Sequence, residues 1–508
     1  MIILNGVNLT LEKFEQITVA YHPIGLSLGA QKRVRASRER VEKILTQKTV
    51  VYGINTGFGK LSDHRIEADD LERLQENLLK SHACGTGEIF DEAIVRGLML
   101  LRINTLITGH SGIRETTIQT LIEMLNKNVV PVVYEKGSLG ASGDLVPLAH
   151  MALPLIGLGE AFYGGKRMQG KEAMMQAGIK PLDGLRAKEG LALINGTQAM
   201  TSVAAHAVIY AEKAFQASYA SAALTFEALK GITDVFDERV HLMRNQTGQI
   251  EVARTMRLLL VDSRHTTHQG DDHIQDAYAL RCVPQVHGPT LETLRYVRER
   301  VEREMNAATD NPVILDDGTA ISAGNFHGQP VALPMDYLTI AMSELANIAE
   351  RRIERMVNPA LSRGLPAFLV EKKGLNSGFM IIQYVAASLV SENKGLAHPA
   401  SVDSIPSSGN QEDHVSMGTI SARRALTVVK HAATVIGLEL MSAAQAIGFR
   451  GEKGLSKASQ VVYELLRKEI PFIHEDTVMQ PYIEVVSNLV MTGAIAKEIE
   501  PWLSKTKH

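Results

Sequence analysis

Residues 137–148 read Gly-Ser-Leu-Gly-Ala-Ser-Gly-Asp-Leu-Val-Pro-Leu, with small residues crowded on one side and an apolar helix beginning on the other. Glycine and serine make a tight turn, and Asp144 is placed to cap a helix over residues 145–158. That role leaves the density of small residues unexplained. Within the segment, Ala141-Ser142-Gly143 is a stretch of backbone able to cyclise. The Gly143 nitrogen attacks the Ala141 carbonyl, and loss of water, the Ser142 hydroxyl included, leaves a conjugated exocyclic methylene. Glycine has to supply that nitrogen because a side chain would block the approach, and a helix N-terminus keeps the product electron-poor. The result is an electrophile, which ordinary side chains do not provide.

Two other polar constellations carry less. Residues 53–61, Gly-Ile-Asn-Thr-Gly-Phe-Gly-Lys-Leu, imitate a phosphate loop, but the spacing is wrong and Leu61 stands where a magnesium-holding Ser or Thr belongs. His265, His268, Asp271, Asp272 and His273 are metal-ligand types in a continuously polar stretch without an apolar frame, so a solvated loop is expected. A dinucleotide fingerprint between a strand and a helix is missing.

The string GSLGASGDLVPLAHMA resembles the signature of the aromatic amino acid ammonia-lyases, which build a 4-methylidene-imidazol-5-one (MIO) from Ala-Ser-Gly. Further strings match in order: YGINTGFG with Tyr52, SHACG with His82, LINGTQAM with Asn195, QDAYALRC with Gln275, Tyr278 and Arg281, GNFHGQP with Phe326, and NQEDHVSMG with Glu412. They run from about residue 50 to beyond residue 420. The resemblance implies that Ala141, Ser142 and Gly143 form the MIO, that Tyr52 is the base for the β-proton and that Arg281 holds the substrate carboxylate in a two-pronged grip. It further implies that Asn195 and Gln275 hydrogen-bond the ring or hold nearby groups as preorganised donors, that Tyr278 and Phe326 lie beside it, and that Asp144 assists cyclisation while capping its helix. From the residues alone, blander readings stay open. Tyr52 is then a packed loop tyrosine, Arg281 half of a surface ion pair, Asn195 and Gln275 satisfied amides, Phe326 a core aromatic, His82 a helix-end histidine and Glu412 a solvated carboxylate.

His82 and Glu412 bear on the substrate. A carboxylate lining a pocket for a phenyl ring would be buried without a partner, which is strongly unfavourable, whereas an imidazole supplies one. Phenylalanine and tyrosine lyases carry an aromatic or histidine followed by leucine at the Ser81-His82 place and a glutamine at the Glu412 place, and this sequence departs from both. Within the family the chain looks closest to the bacterial histidine-specific branch, which implies that L-histidine gives trans-urocanate and ammonia. The alternatives are a tyrosine or phenylalanine lyase or aminomutase using the same MIO, and, from another class, a non-catalytic helical assembly protein. Ser142, Tyr52 and Arg281 occurring together argue against the last.

The elements that must position these residues are mostly helical. Leu338, Met342, Leu345, Ala349, Ile353 and Met356 recur at steps of three and four and stop at Asn358-Pro359. Leu291, Leu294, Val297, Val301 and Met305 form a second stripe with charged flanks. Residues 425–447 are too apolar all round for a surface and, with almost no interior polarity, belong in a bundle centre or subunit contact. Residues 190–211, the longest uncharged run, predict a buried helix with a polar functional entry. Glycine gathers before residue 171, including a hairpin-like stretch over residues 157–171. The fold expected is mainly α, a long central helical bundle over residues 216–508 with a smaller, looped, MIO-bearing N-terminal domain over residues 1–215.

The chain's 508 residues suffice for a large core, and 53 Lys+Arg against 56 Asp+Glu leave no broad basic face for nucleic acid. Two cysteines, Cys84 and Cys282, rule out a disulfide framework and fit a reducing cytoplasm. Signal-peptide character and a clear membrane span are both missing from the pattern. The resemblance implies a homotetramer whose active sites draw on more than one subunit, with no metal, pyridoxal phosphate or nucleotide.

Overall fold

The structure, a computed structural model, describes residues 1–47 and 49–504. The described residues form nineteen α-helices and nine strands, with no strand longer than four residues. The mainly helical architecture follows from the scarcity of period-two alternation in the sequence. The chain folds into two compact units. The first comprises Met1–His206, Arg298–Asp336 and Pro399–Arg423, and the second comprises Ala207–Val297, Tyr337–His398 and the described residues from Arg424 onward. Later segments therefore return to the first unit, so no single cut of the chain separates the two.

In the first unit the short helices Leu71–His82, Leu145–Ala152 and Glu189–Ile194 pack on one another. Helix Glu92–Leu106 is buried from Ile94 to Leu106. Strands Glu160–Tyr163 and Lys166–Gln169 pair antiparallel across Gly164-Gly165, and Val130–Pro131 adds a third strand. This is the hairpin that the glycine-rich stretch announced.

In the second unit the predicted stripe is borne out. Leu338, Met342, Leu345, Ala349, Ile353 and Met356 are all fully buried, and their helix, Gln329–Val357, ends just before Asn358-Pro359. Of the other stripe, Leu294, Val297, Val301 and Met305 are buried and Leu291 is half-buried.

Two expectations need correction. Residues 190–211 are buried but are not one helix: Glu189–Ile194 stops at Asn195, and Gln198–Ala228 begins three residues later. Gly196, at φ +149°, makes the break. A Cβ there would lie 2.6 Å from an Arg102 nitrogen and 2.7 Å from the Thr309 hydroxyl, so only glycine fits. The polar residues that seemed to enter a helix instead interrupt two. Helix Gly418–Arg450, the one described helix long and apolar enough to cross a membrane, has 83% of its most apolar window buried within the fold. It is not free of interior polarity, because Glu439 is fully buried in it and paired with Arg352.

Candidate active site

A cavity of about 480 Å³ lies in the first unit, and Tyr52, His82, Ser142 and Glu412 all line it. These residues lie far apart in sequence, and each arrives from a different element. Tyr52 lies in the turn that resembled a phosphate loop, which folds back so that the Gly59 N–H donates to the Tyr52 hydroxyl at 3.2 Å. His82 is the last residue of Leu71–His82, an amphipathic helix that buries Leu71, Gln75, Leu78 and Leu79. Glu412 follows the short turn Ser408–Asn410 and accepts from the Ser407 hydroxyl at 3.2 Å. Leu145, Leu191 and Ile194 supply apolar wall.

Ser142 is half-buried in a turn pinned on two sides. The Asp144 N–H donates to the Gly196 carbonyl at 2.7 Å, and the Met417 N–H donates to the Leu139 carbonyl at 3.0 Å. Gly143 has φ +72°, and a Cβ there would stand 2.1 Å from the Gly196 carbonyl oxygen. Backbone approaches backbone here, and any side chain would push the two strands of chain apart. A turn closed this tightly around an Ala-Ser-Gly sequence, with Ser142 facing the cavity, fits the residues that an MIO requires.

Asp144 does not cap its own helix. Helix Leu145–Ala152 has no side-chain cap and gives way to a tighter turn at Leu153–Ile156, short of residue 158. The carboxylate instead accepts the Met200 N–H at 2.8 Å, at the start of helix Gln198–Ala228, and the hydroxyls of Ser138 at 2.9 Å and Thr419 at 2.5 Å. Because Asp144 is fully buried, its own N-terminal turn is the wrong target: the break at Gly196 brings a second set of free amides within reach. Burial raises its carboxyl above the usual range, while those hydrogen bonds oppose the rise.

The cavity's titratable groups feel one another. Burial, first, raises the Tyr52 phenol, and the charges of Glu412 and Asp310 push it the same way against the Gly59 hydrogen bond. Burial lowers the His82 imidazole, and the Glu412 charge opposes that. His82 Nδ1 is 2.9 Å from the Ser81 hydroxyl.

Beneath the turn lies a polar layer that the motifs did not announce. Arg102, fully buried and lowered to about 10 by that burial, donates to the Asn195 carbonyl at 2.8 Å, to Gln198 Oε1 at 2.6 Å and to the Ala192 carbonyl. Lys188 and Asp310 form a buried pair at 2.7 Å. Glu304, raised by burial and then by the Asp144 charge, accepts from Thr197 at 2.5 Å. Asn195 donates from Nδ2 to the Asn311 carbonyl at 3.1 Å, and its Oδ1 is buried without a partner. Neither Asn195 nor Asp144 lines the cavity. Arg102 and Glu304 carried no signal except a charge set in an apolar or mixed helical stretch.

The remaining predicted residues do not line this cavity. Gln275, Tyr278 and Arg281 cluster in the second unit, where Arg281 Nη1 donates to Gln275 Oε1 at 3.0 Å and its guanidinium lies 4.6 Å from the Tyr278 ring centre. Leu280 is buried beside Arg281, but Tyr278 is 70% exposed. Phe326 is half-buried in the first unit, away from the cavity lining. The polar stretch after residue 264 is a loop in which His268 lies 3.1 Å from Asp234, 34 residues earlier, and His273 lies 3.2 Å from Asp276.

The sequence profile described as aromatic amino acid lyase matches residues 9–468. The chain belongs to that family. Among aromatic amino acid lyases it is 54% identical over 500 residues to a histidine ammonia-lyase of Alkaliphilus oremlandii (strain OhILAs), covering 98% of each chain. The crystal structure of histidine ammonia-lyase from Trypanosoma cruzi superposes with a TM-score of 0.92 at 41% identity, covering 99% of this chain and 95% of that one. Tyrosine aminomutase from Streptomyces globisporus, also of this fold, superposes at 0.94 with 36% identity and 98% coverage of each. The lyase fold is thus shared by enzymes named for different substrates, and the cavity walls must make the distinction.

Proposed function

We propose that this lyase is a histidine ammonia-lyase, a carbon–nitrogen lyase that converts L-histidine to trans-urocanate and ammonia. The observation that carries the reading is the meeting of His82 and Glu412 with Ser142 and Tyr52 on one cavity. Glu412 offers a carboxylate that an imidazole N–H satisfies and a phenyl ring does not.

The chemistry supplied by an MIO made from Ala141, Ser142 and Gly143 is that of an electrophile that captures the substrate so that ammonia can leave. The remaining work falls to the chain. Tyr52, as phenolate, takes the β-proton, and the Gly59 N–H held at its oxygen favours that anion. Leu145, Leu191 and Ile194 exclude water from the ring side of the cavity.

Arg281 suits the substrate carboxylate, and Gln275 and Tyr278 are already gathered beside it. Their absence from the lining of the cavity, with Tyr278 70% exposed, supports a homotetramer in which another copy brings the cluster to the site. Cytoplasmic residence belongs to the same proposal and agrees with two free thiols, Cys84 and Cys282.

Two measurements test this. The purified chain should be lighter than its sequence by two waters, about 36 Da. It should form urocanate from L-histidine faster than coumarate from tyrosine or cinnamate from phenylalanine. Faster coumarate or cinnamate would replace the histidine reading by that of a tyrosine or phenylalanine enzyme.

A further inference from the structure

Asp144 is held as tightly as any side chain near the Ala-Ser-Gly turn. Its Oδ2 accepts the Met200 N–H at 2.8 Å, which fixes one end of the carboxylate to a helix start. Two hydroxyls meet at the other end: Ser138 at 2.9 Å and Thr419 at 2.5 Å, both on Oδ1. The two hydroxyls also lie 3.0 Å apart, and Ser138 Oγ is 3.4 Å from the Gly143 carbonyl. Each hydroxyl has one proton. With Thr419 donating over the shorter distance, Ser138 is left poised between the carboxylate and the carbonyl of a residue inside the future ring.

We propose that Thr419 and Ser138 are positioning residues for ring closure at Ala141-Ser142-Gly143, acting by orienting the Asp144 carboxylate. The inference rests on the reading above that this segment cyclises. In closure a bond forms between the Gly143 nitrogen and the Ala141 carbonyl carbon. The Gly143 amide proton leaves, and the Ala141 oxygen departs as water with that proton count completed from the Ser142 N–H, giving a C=N bond. The Ser142 Cα proton and its hydroxyl then leave as a second water, giving the exocyclic C=C bond. No oxidant is needed. The carboxylate reaches the closing segment through Ser138, whose hydroxyl lies 2.9 Å from Oδ1 and 3.4 Å from the Gly143 carbonyl, so the Gly143 peptide is held in one orientation only if the carboxylate cannot rotate. Thr419 lies 275 residues after Asp144 in sequence. Its contact makes closure depend on docking of the Pro399–Arg423 segment into the first unit, so the electrophile forms after the unit is assembled.

The test uses the full chain and intact mass at successive times after induction, with Thr419→Val removing the hydroxyl at nearly constant shape and Thr419→Ser keeping it. The expected result is that parent and Thr419→Ser reach the two-water deficit together, while folded Thr419→Val lags on the order of tenfold or more, as expected for losing a hydrogen bond to a charged group. Parental closure kinetics in Thr419→Val, even with reduced turnover, would overturn the proposal by making Thr419 structural. Should Thr419→Val fail to fold, Ser138→Ala removes the other donor to the same oxygen and is read the same way. A parent chain at full mass would overturn the cyclisation reading itself, which is a separate outcome.

Discussion

Arg352 and Glu439 meet as a two-pronged buried pair, Nε to Oε1 at 2.5 Å and Nη2 to Oε2 at 2.8 Å, with both side chains fully buried. Ser221 and Thr225 each donate to the same carboxylate at 2.8 Å. Removing one partner strands a charge in an apolar interior, which costs about 3–5 kcal/mol, whereas replacing both by apolar residues costs much less. Glu439→Leu should therefore lower the thermal midpoint more than the double variant Glu439→Leu/Arg352→Met. A double variant that unfolds at least as early as the single would show that the pair itself, not its desolvation, is the stabilising feature.

Ser142→Ala removes one hydroxyl from a turn without opening the core, so the chain should fold, keep its secondary structure by circular dichroism and hold the full sequence mass. Urocanate formation should be almost abolished. Near-parental turnover would remove Ser142 from the chemistry.

Tyr52→Phe keeps the ring and loses the oxygen, and kcat should fall at least roughly 100-fold. The phenol stands above its ordinary value chiefly through burial, with Glu412 adding to the rise. If the phenolate is the base, kcat/KM climbs with pH through that raised value. Glu412→Gln deletes a negative charge that opposes ionisation, so the climb should move to lower pH whatever happens to its height. A pH profile that keeps its position in Glu412→Gln would separate the two groups.

Glu412→Gln should also cut kcat/KM for histidine by roughly 10- to 100-fold, at about 1.4 kcal/mol per tenfold. Any trace of phenylalanine or tyrosine turnover should hold or rise, and adding His82→Leu should push the ratio further. Parallel loss for all substrates would make Glu412 a general support of the cavity.

Arg281→Lys replaces a planar fork by a point charge and should impair histidine turnover strongly. Histidinol, which lacks the carboxylate, should lose little between the two enzymes. An equal loss for both would assign Arg281 to structure.

The chemistry was legible in the sequence because it depends on residue identity at short range. The Ser142 hydroxyl and the side-chain-free Gly143 nitrogen stand side by side in the sequence, and Leu338, Met342, Leu345, Ala349, Ile353 and Met356 declare a buried stripe by spacing alone. Which groups share a cavity is a long-range matter. Tyr52, His82, Ser142 and Glu412 converge because the first unit draws segments from three parts of the chain, while Gln275, Tyr278 and Arg281 fold together elsewhere. Asp144 shows the physical reason most directly. Local sequence offers it the amides of the helix it precedes, but the backbone break at Gly196 exposes the first amides of another helix, and a buried carboxylate goes where most donors are. Arg102 and Glu439 look like surface charges by type. Only the tertiary structure supplies the partners that let each stay buried.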